Sequence, residues 1–326
     1  MPGKILKKKE LNLVKKIRQK AVTLAHRAGQ GVAWPLRLGI GDDAAILGCA
    51  GTDQELLITT DLLVEGAHFH RQFHPARALG HKVLARGLSD IAAMGGMPLY
   101  AWLSLCLPGW ADEKWKNQFW DGLFRLARDC GVTLAGGDLA AGERFAADIV
   151  VLGSVRRGRA LRRRGAKPGD IIYVSGYLGG SALGFDRLRT ARWSTRDPAV
   201  HRHLYPSPRL TLGRYLAQEL RASSAMDLSD GLSIDLYRLA VESRIGAEIR
   251  SADVPVFPGA TLDQALHGGE DYELVFTLPP RRKSPTAFQG IPLTSIGVIT
   301  AGRRLWLVDR AGRKVPLPVK GFQHRL

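Results

Sequence analysis

The sequence predicts a two-domain α/β (α+β) protein with antiparallel sheet content, and three observations carry that reading. Strand-like and helix-like segments alternate through the first half, a basic aperiodic stretch interrupts the chain near its middle, and a second β-rich run then starts a new series. With 326 residues the chain is long enough for two domains of ordinary size. The expected division is 1–155 for an N-terminal domain and 156–326 for a C-terminal α/β domain.

Near the start, Val14, Ile17, Ala21 and Leu24 recur at helical spacing and predict an amphipathic helix. Residues 39–43 read as a loop, and the β-formers at 56–64 as a strand. A helix is expected over 76–94, a strand over 99–107, a helix over 113–130, and strands over 132–135 and 148–155. The segment 156–169 lacks periodicity, which places the boundary there. Residues 170–175 resume β character and end in the glycine turn Gly176-Tyr177-Leu178-Gly179-Gly180, after which a helix should begin. Leu232, Leu236, Leu239 and Ala240 form a helical stripe behind the turn at 227–231. Strands near 273–278, 295–299 and 305–308 complete the series.

Composition narrows the class. Hydrophobic residues make up 45% and charged residues 24%, the balance of a globular protein with its own core. Cys49, Cys106 and Cys130 are scattered, with no pairing that suggests zinc, and read as reduced thiols of a cytoplasmic protein. No apolar run reaches membrane-spanning length and no secretion signal is legible, which argues against a membrane partner. Lysine and arginine outnumber acids 47 to 30, a formal charge of +17. The run Arg156, Arg157, Arg159, Arg162, Arg163, Arg164 and Lys167 raises nucleic-acid binding as an alternative class. No helix-turn-helix, zinc-finger or RNA-binding aromatic signature accompanies it, and the same field attracts anionic small molecules.

In so basic a chain, acids beside glycines or at element ends stand out: Asp42-Asp43, Asp61, Asp90, Asp138 and Asp227/Asp230. Magnesium takes oxygen ligands and keeps several waters, so carboxylates from separate loops can share a metal–phosphate cluster. On the expected helix, Leu79, Val83 and Asp90 fall at i, i+4 and i+11, which puts a carboxylate on an apolar stripe. Such a group needs a metal or a salt bridge, for which Lys82 or Arg86 lie within reach. Thr59 and Asp61 share one strand face, and Thr60 takes the other. Asp138 follows Gly136-Gly137, a turn that allows close ligand approach. Ser229 or Asp230 could cap the following helix, although two aspartates and a serine exceed what one cap needs. Gly268-Gly269-Glu270-Asp271 is a further acidic turn, suited to a substrate cation or a structural hydrogen bond. The glycine turn at 176–180 matches no P-loop or dinucleotide fingerprint and reads first as a turn.

Taken together, Gly41-Asp42-Asp43-Ala44-Ala45, the block from Thr59-Thr60-Asp61 to Gly66-Ala67-His68-Phe69, and Leu88-Ser89-Asp90-Ile91-Ala92-Ala93-Met94-Gly95 resemble the thiamine-monophosphate kinase family. Gly136-Gly137-Asp138, Asp227-Leu228-Ser229-Asp230-Gly231-Leu232 and Gly268-Gly269-Glu270-Asp271-Tyr272-Glu273-Leu274 continue the resemblance in family order. It implies the aminoimidazole-ribonucleotide synthetase-like fold, with an N-terminal ATP- and metal-binding domain whose strands help form a homodimer. The implied reaction moves the γ-phosphoryl group of ATP, with Mg²⁺, onto thiamine monophosphate to give thiamine diphosphate and ADP. By motif, Asp42, Thr59, Thr60, Asp61, Asp90, Asp138, Asp227 and Asp230 match metal positions. Gly137, Asp138, Arg162 and Ser229 match nucleotide contacts, and His68, Glu270 and Phe322 match substrate contacts. Leu139 departs from the family's usual threonine. Another ATP-dependent enzyme of the same superfamily is the alternative; selenophosphate synthesis would want a reactive N-terminal cysteine, and none precedes Cys49.

Overall fold

The computed structural model describes residues 9–28, 34–190, 194 and 196–323. The first half comprises helix α1 (Lys9–Ala28), strands β1 (Leu36–Leu38), β2 (Ala45–Gly48) and β3 (Gln54–Val64), and helix α2 (Ala76–Ala93). Strand β4 (Met97–Leu107), helix α3 (Glu113–Cys130) and strands β5 (Thr133–Ala141) and β6 (Ala146–Arg156) follow. The second half runs through β7 (Ile171–Ser175), α4 (Gly180–Leu188), α5 (Pro198–Leu204), α6 (Leu210–Tyr215), a π-helical turn Leu216–Leu220 and β8 (Ser224–Asp227). It continues with α7 (Leu232–Ser243), β9 (Gly246–Arg250), α8 (Leu262–His267) and β10 (Leu274–Leu278). Strands β11 (Ala287–Phe288), β12 (Ile291–Thr300), β13 (Leu305–Val308) and β14 (Lys314–Pro316) close the described chain.

Two sheets organise these elements. The first has the order β1-β2-β3-β6-β4-β5, antiparallel except for the parallel β4–β5 pair at its edge. The second has the order β14-β13-β9-β12-β7-β10-β8, with β11 added beside β12. Side chains alternate across the first sheet: Leu57, Leu63, Leu103, Leu105, Ile149 and Val151 are buried on the face that carries α2 and α3. The same alternation turns Thr59 and Asp61 inward and leaves Thr60 exposed on the outer face.

Helix α3 begins where the Asp112 carboxylate accepts from the Trp115 N–H at 2.7 Å, and ends at Gly131 with φ 68°. It lies very close to α2. A Cβ at Gly80 would sit 1.9 Å from the Phe119 carbonyl oxygen, and one at Gly122 1.9 Å from that of Arg77. Two glycines facing each other's helix backbone thus set the crossing distance. Helix α2 is buried at 14 of its 18 positions, because its other side meets α5, α6 and β8 of the second half. An apolar cluster of Ala93, Leu161, Leu212, Leu216, Phe276 and Leu278 joins the two halves. Polar groups that α2 carries toward the second half therefore face into the junction.

Helix α1 forms where the pattern predicts; Val14 and Ile17 on its apolar face are exposed, and the side chain of Leu24 lies outside the described residues. Beyond the expected strands, β1, β2, β8, β9, β11 and β14 also form, all short segments with weak sequence patterns.

Candidate active site at the junction of the two halves

The cleft at this junction has a volume of about 470 Å³. From the first half it is lined by Asp61, His68, Arg86 and Asp90; from the second by Asp227, Ser229, Asp230, Glu270, Tyr272 and Phe322, among others. Eight of the residues singled out by sequence therefore share one cavity: Asp61, His68, Asp90, Asp227, Ser229, Asp230, Glu270 and Phe322.

At its base, carboxylate oxygens of Asp43, Asp90 and Asp227 all lie within 4.8 Å of one another. The Thr59 hydroxyl donates to Asp90 at 2.5 Å, and the Ser89 hydroxyl donates to Asp227 at 2.8 Å. Burial first, and then the charges of Asp61, Asp227 and Asp43, push the Asp90 carboxyl well above the usual carboxylate range. Burial, Asp43 and Asp235 do the same to Asp227. The salt-bridge alternative for Asp90 is not what forms: Lys82 pairs with Glu270 and Arg86 pairs with Asp61, each at 2.8 Å.

The Asp42-Asp43 doublet divides its work differently from expectation. Asp43 enters the cluster, and its Oδ1 accepts from the Arg163 guanidinium at 2.5 and 3.1 Å. Its Oδ2 is buried with no hydrogen-bond partner among the described residues. Asp42 instead turns to the Arg163 backbone N–H at 3.1 Å. Burial and then the Asp43 charge raise its carboxyl to about 7, with Arg163 opposing. The basic doublet behaves likewise: the Arg163 side chain reaches the acids, whereas Arg162 contributes its carbonyl to the Ala225 N–H. Hydropathy carries no signal that separates such neighbours. Local backbone direction decides which one faces inward.

Other expected residues lie apart from the cluster within the chain. Thr60 donates to Asp148 at 2.8 Å on the outer sheet face. Asp138 is exposed on edge strand β5 and accepts from the Leu139 N–H at 2.9 Å. At Gly137 any Cβ would meet the Leu103 carbonyl oxygen at 1.8 Å, so strand packing alone demands glycine.

The two acidic turns of the second half are built into the scaffold. Asp235 accepts from the N–H groups of Asp230 and Gly231, both at 3.0 Å, and so supplies the cap that neither Ser229 nor Asp230 provides. Arg238 ties Asp230 and Asp235 together at 2.5 and 2.8 Å. Asp271 accepts from Gly179 N–H at 2.5 Å and Ser181 N–H at 3.0 Å. The start of α4 is therefore satisfied by the protein's own carboxylate, and the positive φ of Gly176 and Gly179, 60° and 84°, accounts for glycine in the turn. Glu270 and Tyr272 both adopt left-handed backbone, φ 65° and 49°. Non-glycine residues there cost about 1 kcal/mol or more and are held by their surroundings. The His68 ring stands 5.7 Å from that of Phe322, bridging the two halves at the cleft, and His68 Nδ1 accepts from the Val64 N–H at 3.0 Å.

The fold and this acid-lined junction define a class. The family model for the AIR synthase related protein N-terminal domain matches residues 41–155, and that for the C-terminal domain matches 167–309. Thiamine-monophosphate kinase of Escherichia coli (strain K12) is 42% identical over 305 residues, covering 89% of this chain and 92% of that one. The solved structure of AaThiL complexed with AMPPCP and TMP has a TM-score of 0.82 at 29% identity and covers 99% of both chains. Thiamine-monophosphate kinase from Stenotrophomonas maltophilia K279a gives a TM-score of 0.73 at 35% identity, covering 92% of this chain and 96% of that one. The chain belongs to the thiamine-monophosphate kinase family. Among the described residues, no helix is long and apolar enough to cross a membrane.

Proposed function

We propose that this chain transfers the γ-phosphoryl group of ATP to the phosphate of thiamine monophosphate, releasing thiamine diphosphate and ADP. The observation that carries this reading is one cleft that unites a three-carboxylate cluster with an aromatic and anionic wall of His68, Phe322 and Glu270. The AaThiL structure, captured with AMPPCP and TMP, supports the same pair of ligands.

The donor set fits Mg²⁺: hard oxygens converge within 4.8 Å, and Asp43 Oδ2 is buried without a partner. Asp43, Asp90 and Asp227 would hold the ion, with Asp61 and Asp230 at the cleft wall as further carboxylates. When bound, it would neutralise the phosphate charge that otherwise keeps two anionic reactants apart. Thr59 and Ser89 orient Asp90 and Asp227 through their hydroxyls, and Arg163 orients Asp43. The acceptor phosphate oxygen is already ionised near neutral pH, so no strong base is required, and the protein's main contribution is positioning. We assign Ser229 to the nucleotide and His68, Glu270 and Phe322 to the acceptor.

A homodimer belongs to the same proposal. Leu62, Tyr100, Trp102 and Leu139 are exposed on the first sheet, and β5 is an edge strand exposed along almost its whole length. Pairing there would move Thr60, Gly137 and Asp138 from solvent to a subunit boundary, where we place their metal and nucleotide contacts. We set the domain division at 155/156, where β6 ends, and place the enzyme in the cytoplasm, whose reducing conditions suit three free cysteines. The test is direct: purified protein with Mg-ATP and thiamine monophosphate should yield thiamine diphosphate and ADP. Robust phosphorylation of free thiamine, with none of its monophosphate, would refute the assignment.

A further inference from the structure

Beneath Glu270 lies a charged group that the reaction as described does not use. Lys82, on α2, is 1% exposed, and its ammonium donates to Glu270 Oε2 at 2.8 Å. A fully buried lysine is rare and requires a partner. Its surroundings offer little other compensation. His203 Nε2 lies 3.5 Å from Lys82 Nζ and 3.0 Å from His74 Nε2, and His203 Nδ1 lies 2.9 Å from the Ser181 hydroxyl. Burial and then the Lys82 charge hold both imidazoles neutral, His74 down to about 4. Lys82 and Glu270 therefore stand as one cation and one anion, contributed by α2 and by a strained turn of the other half.

The arrangement is asymmetric. Glu270 lines the cleft, whereas Lys82 does not. Burial alone would drive Glu270 toward its neutral form. Lys82, in direct contact, and then Arg86 overcome that and hold it well below the usual carboxylate range. The left-handed backbone at Glu270, φ 65°, shows that the turn is held in an unfavourable conformation, and the ammonium from α2 is the charged group that grips its carboxylate. Thiamine monophosphate carries a positively charged thiazolium ring, for which a fixed carboxylate is the complementary wall.

We propose that Lys82 is a positioning residue for the acceptor: from behind the cleft wall it fixes Glu270 as an oriented anion that receives the cationic ring. This rests on the reading of the cleft as the thiamine monophosphate site. The groups facing Glu270 are Lys82 and Arg86 from α2, His203 from α5 with His74 behind it, and Tyr272 from its own turn. Of these, Lys82 is the ammonium in direct contact with it.

The experiment compares wild type, Lys82→Met, Glu270→Gln and the double variant Lys82→Met/Glu270→Gln. Lys82→Met should raise KM for thiamine monophosphate tenfold or more, and KM for ATP less than threefold. Its acceptor KM should also worsen as pH falls from 8 to 6, where the unsupported carboxyl takes up a proton. If the lone buried carboxyl prevents Lys82→Met from folding, the double variant, with neither charge, remains. Its acceptor KM should match that of Glu270→Gln, because Lys82 acts only through Glu270. An acceptor KM in Lys82→Met equal to that of wild type overturns the proposal, as does a double variant tenfold worse than Glu270→Gln. Wild type that binds Mg-ATP yet fails to use thiamine monophosphate overturns the reading of the cleft. Infrared difference spectra against Glu270→Gln, taken without substrate, then report the remaining part. A carboxylate band in wild type that persists unchanged in Lys82→Met would show that Lys82 does not fix the anion.

Discussion

Asp90→Asn separates a metal-binding cluster from a structural one by the sign of its effect on stability. The side chain keeps its shape and its contact with Thr59, but one charge leaves a group whose oxygens lie within 4.8 Å of those of Asp43 and Asp227. At that separation and an effective dielectric constant of about 20, each like-charged pair repels by roughly 3.5 kcal/mol. Protonation relieves part of this, since the Asp90 carboxyl is already pushed upward by burial and by its acidic neighbours. The metal-free variant should therefore be about 1–3 kcal/mol more stable than wild type, a rise of several degrees in Tm. The gain should be larger at pH 8.5 than at pH 6.5. Adding Mg²⁺ should raise the wild-type Tm more than that of the variant. Turnover should fall about a hundredfold or more, which corresponds to roughly 3 kcal/mol of lost transition-state stabilisation. Calorimetry and steady-state kinetics across a Mg²⁺ titration measure both effects. A lowered Tm without metal, together with near-normal turnover at limiting Mg²⁺, would refute the reasoning.

Two further outcomes follow from the same structure. His74 is buried and held neutral down to about 4, against 6.5 when unfolded, so its contribution to stability is present above pH 6.5 and is lost as pH falls toward 4. Wild type should lose about 1.4 kcal/mol per pH unit on this account across that window, and His74→Asn should flatten the slope measured by urea denaturation. Leu139→Asp, on the exposed edge strand, should convert a dimer to a monomer in light scattering at micromolar concentration; a wild type that is already monomeric would sink the proposed dimer instead.

The sequence by itself determined the elements whose periodicity is enforced over many residues. The strand at Gln54–Val64 alternates, the helix Glu113–Cys130 carries an apolar face between an aspartate and a glycine cap, and both lie where their patterns predict. It also determined the chemistry available, because carboxylates in a basic chain beside glycine turns are visible as residue types. Short pairings such as Leu36–Leu38 with Ala45–Gly48 were not legible, since three or four residues carry too little pattern to outweigh a loop. Tertiary structure decided which side chain of each doublet reaches the cluster: Asp43 rather than Asp42, and Arg163 rather than Arg162. It also decided the partners. Lys82 and Arg86 lie within a helical turn or two of Asp90, yet they bond Glu270 and Asp61 instead, because α2 is packed on both sides and its charges must find partners on whichever element covers them. Local spacing fixes which face of a helix a residue occupies. What lies opposite that face is settled only when distant segments fold onto it.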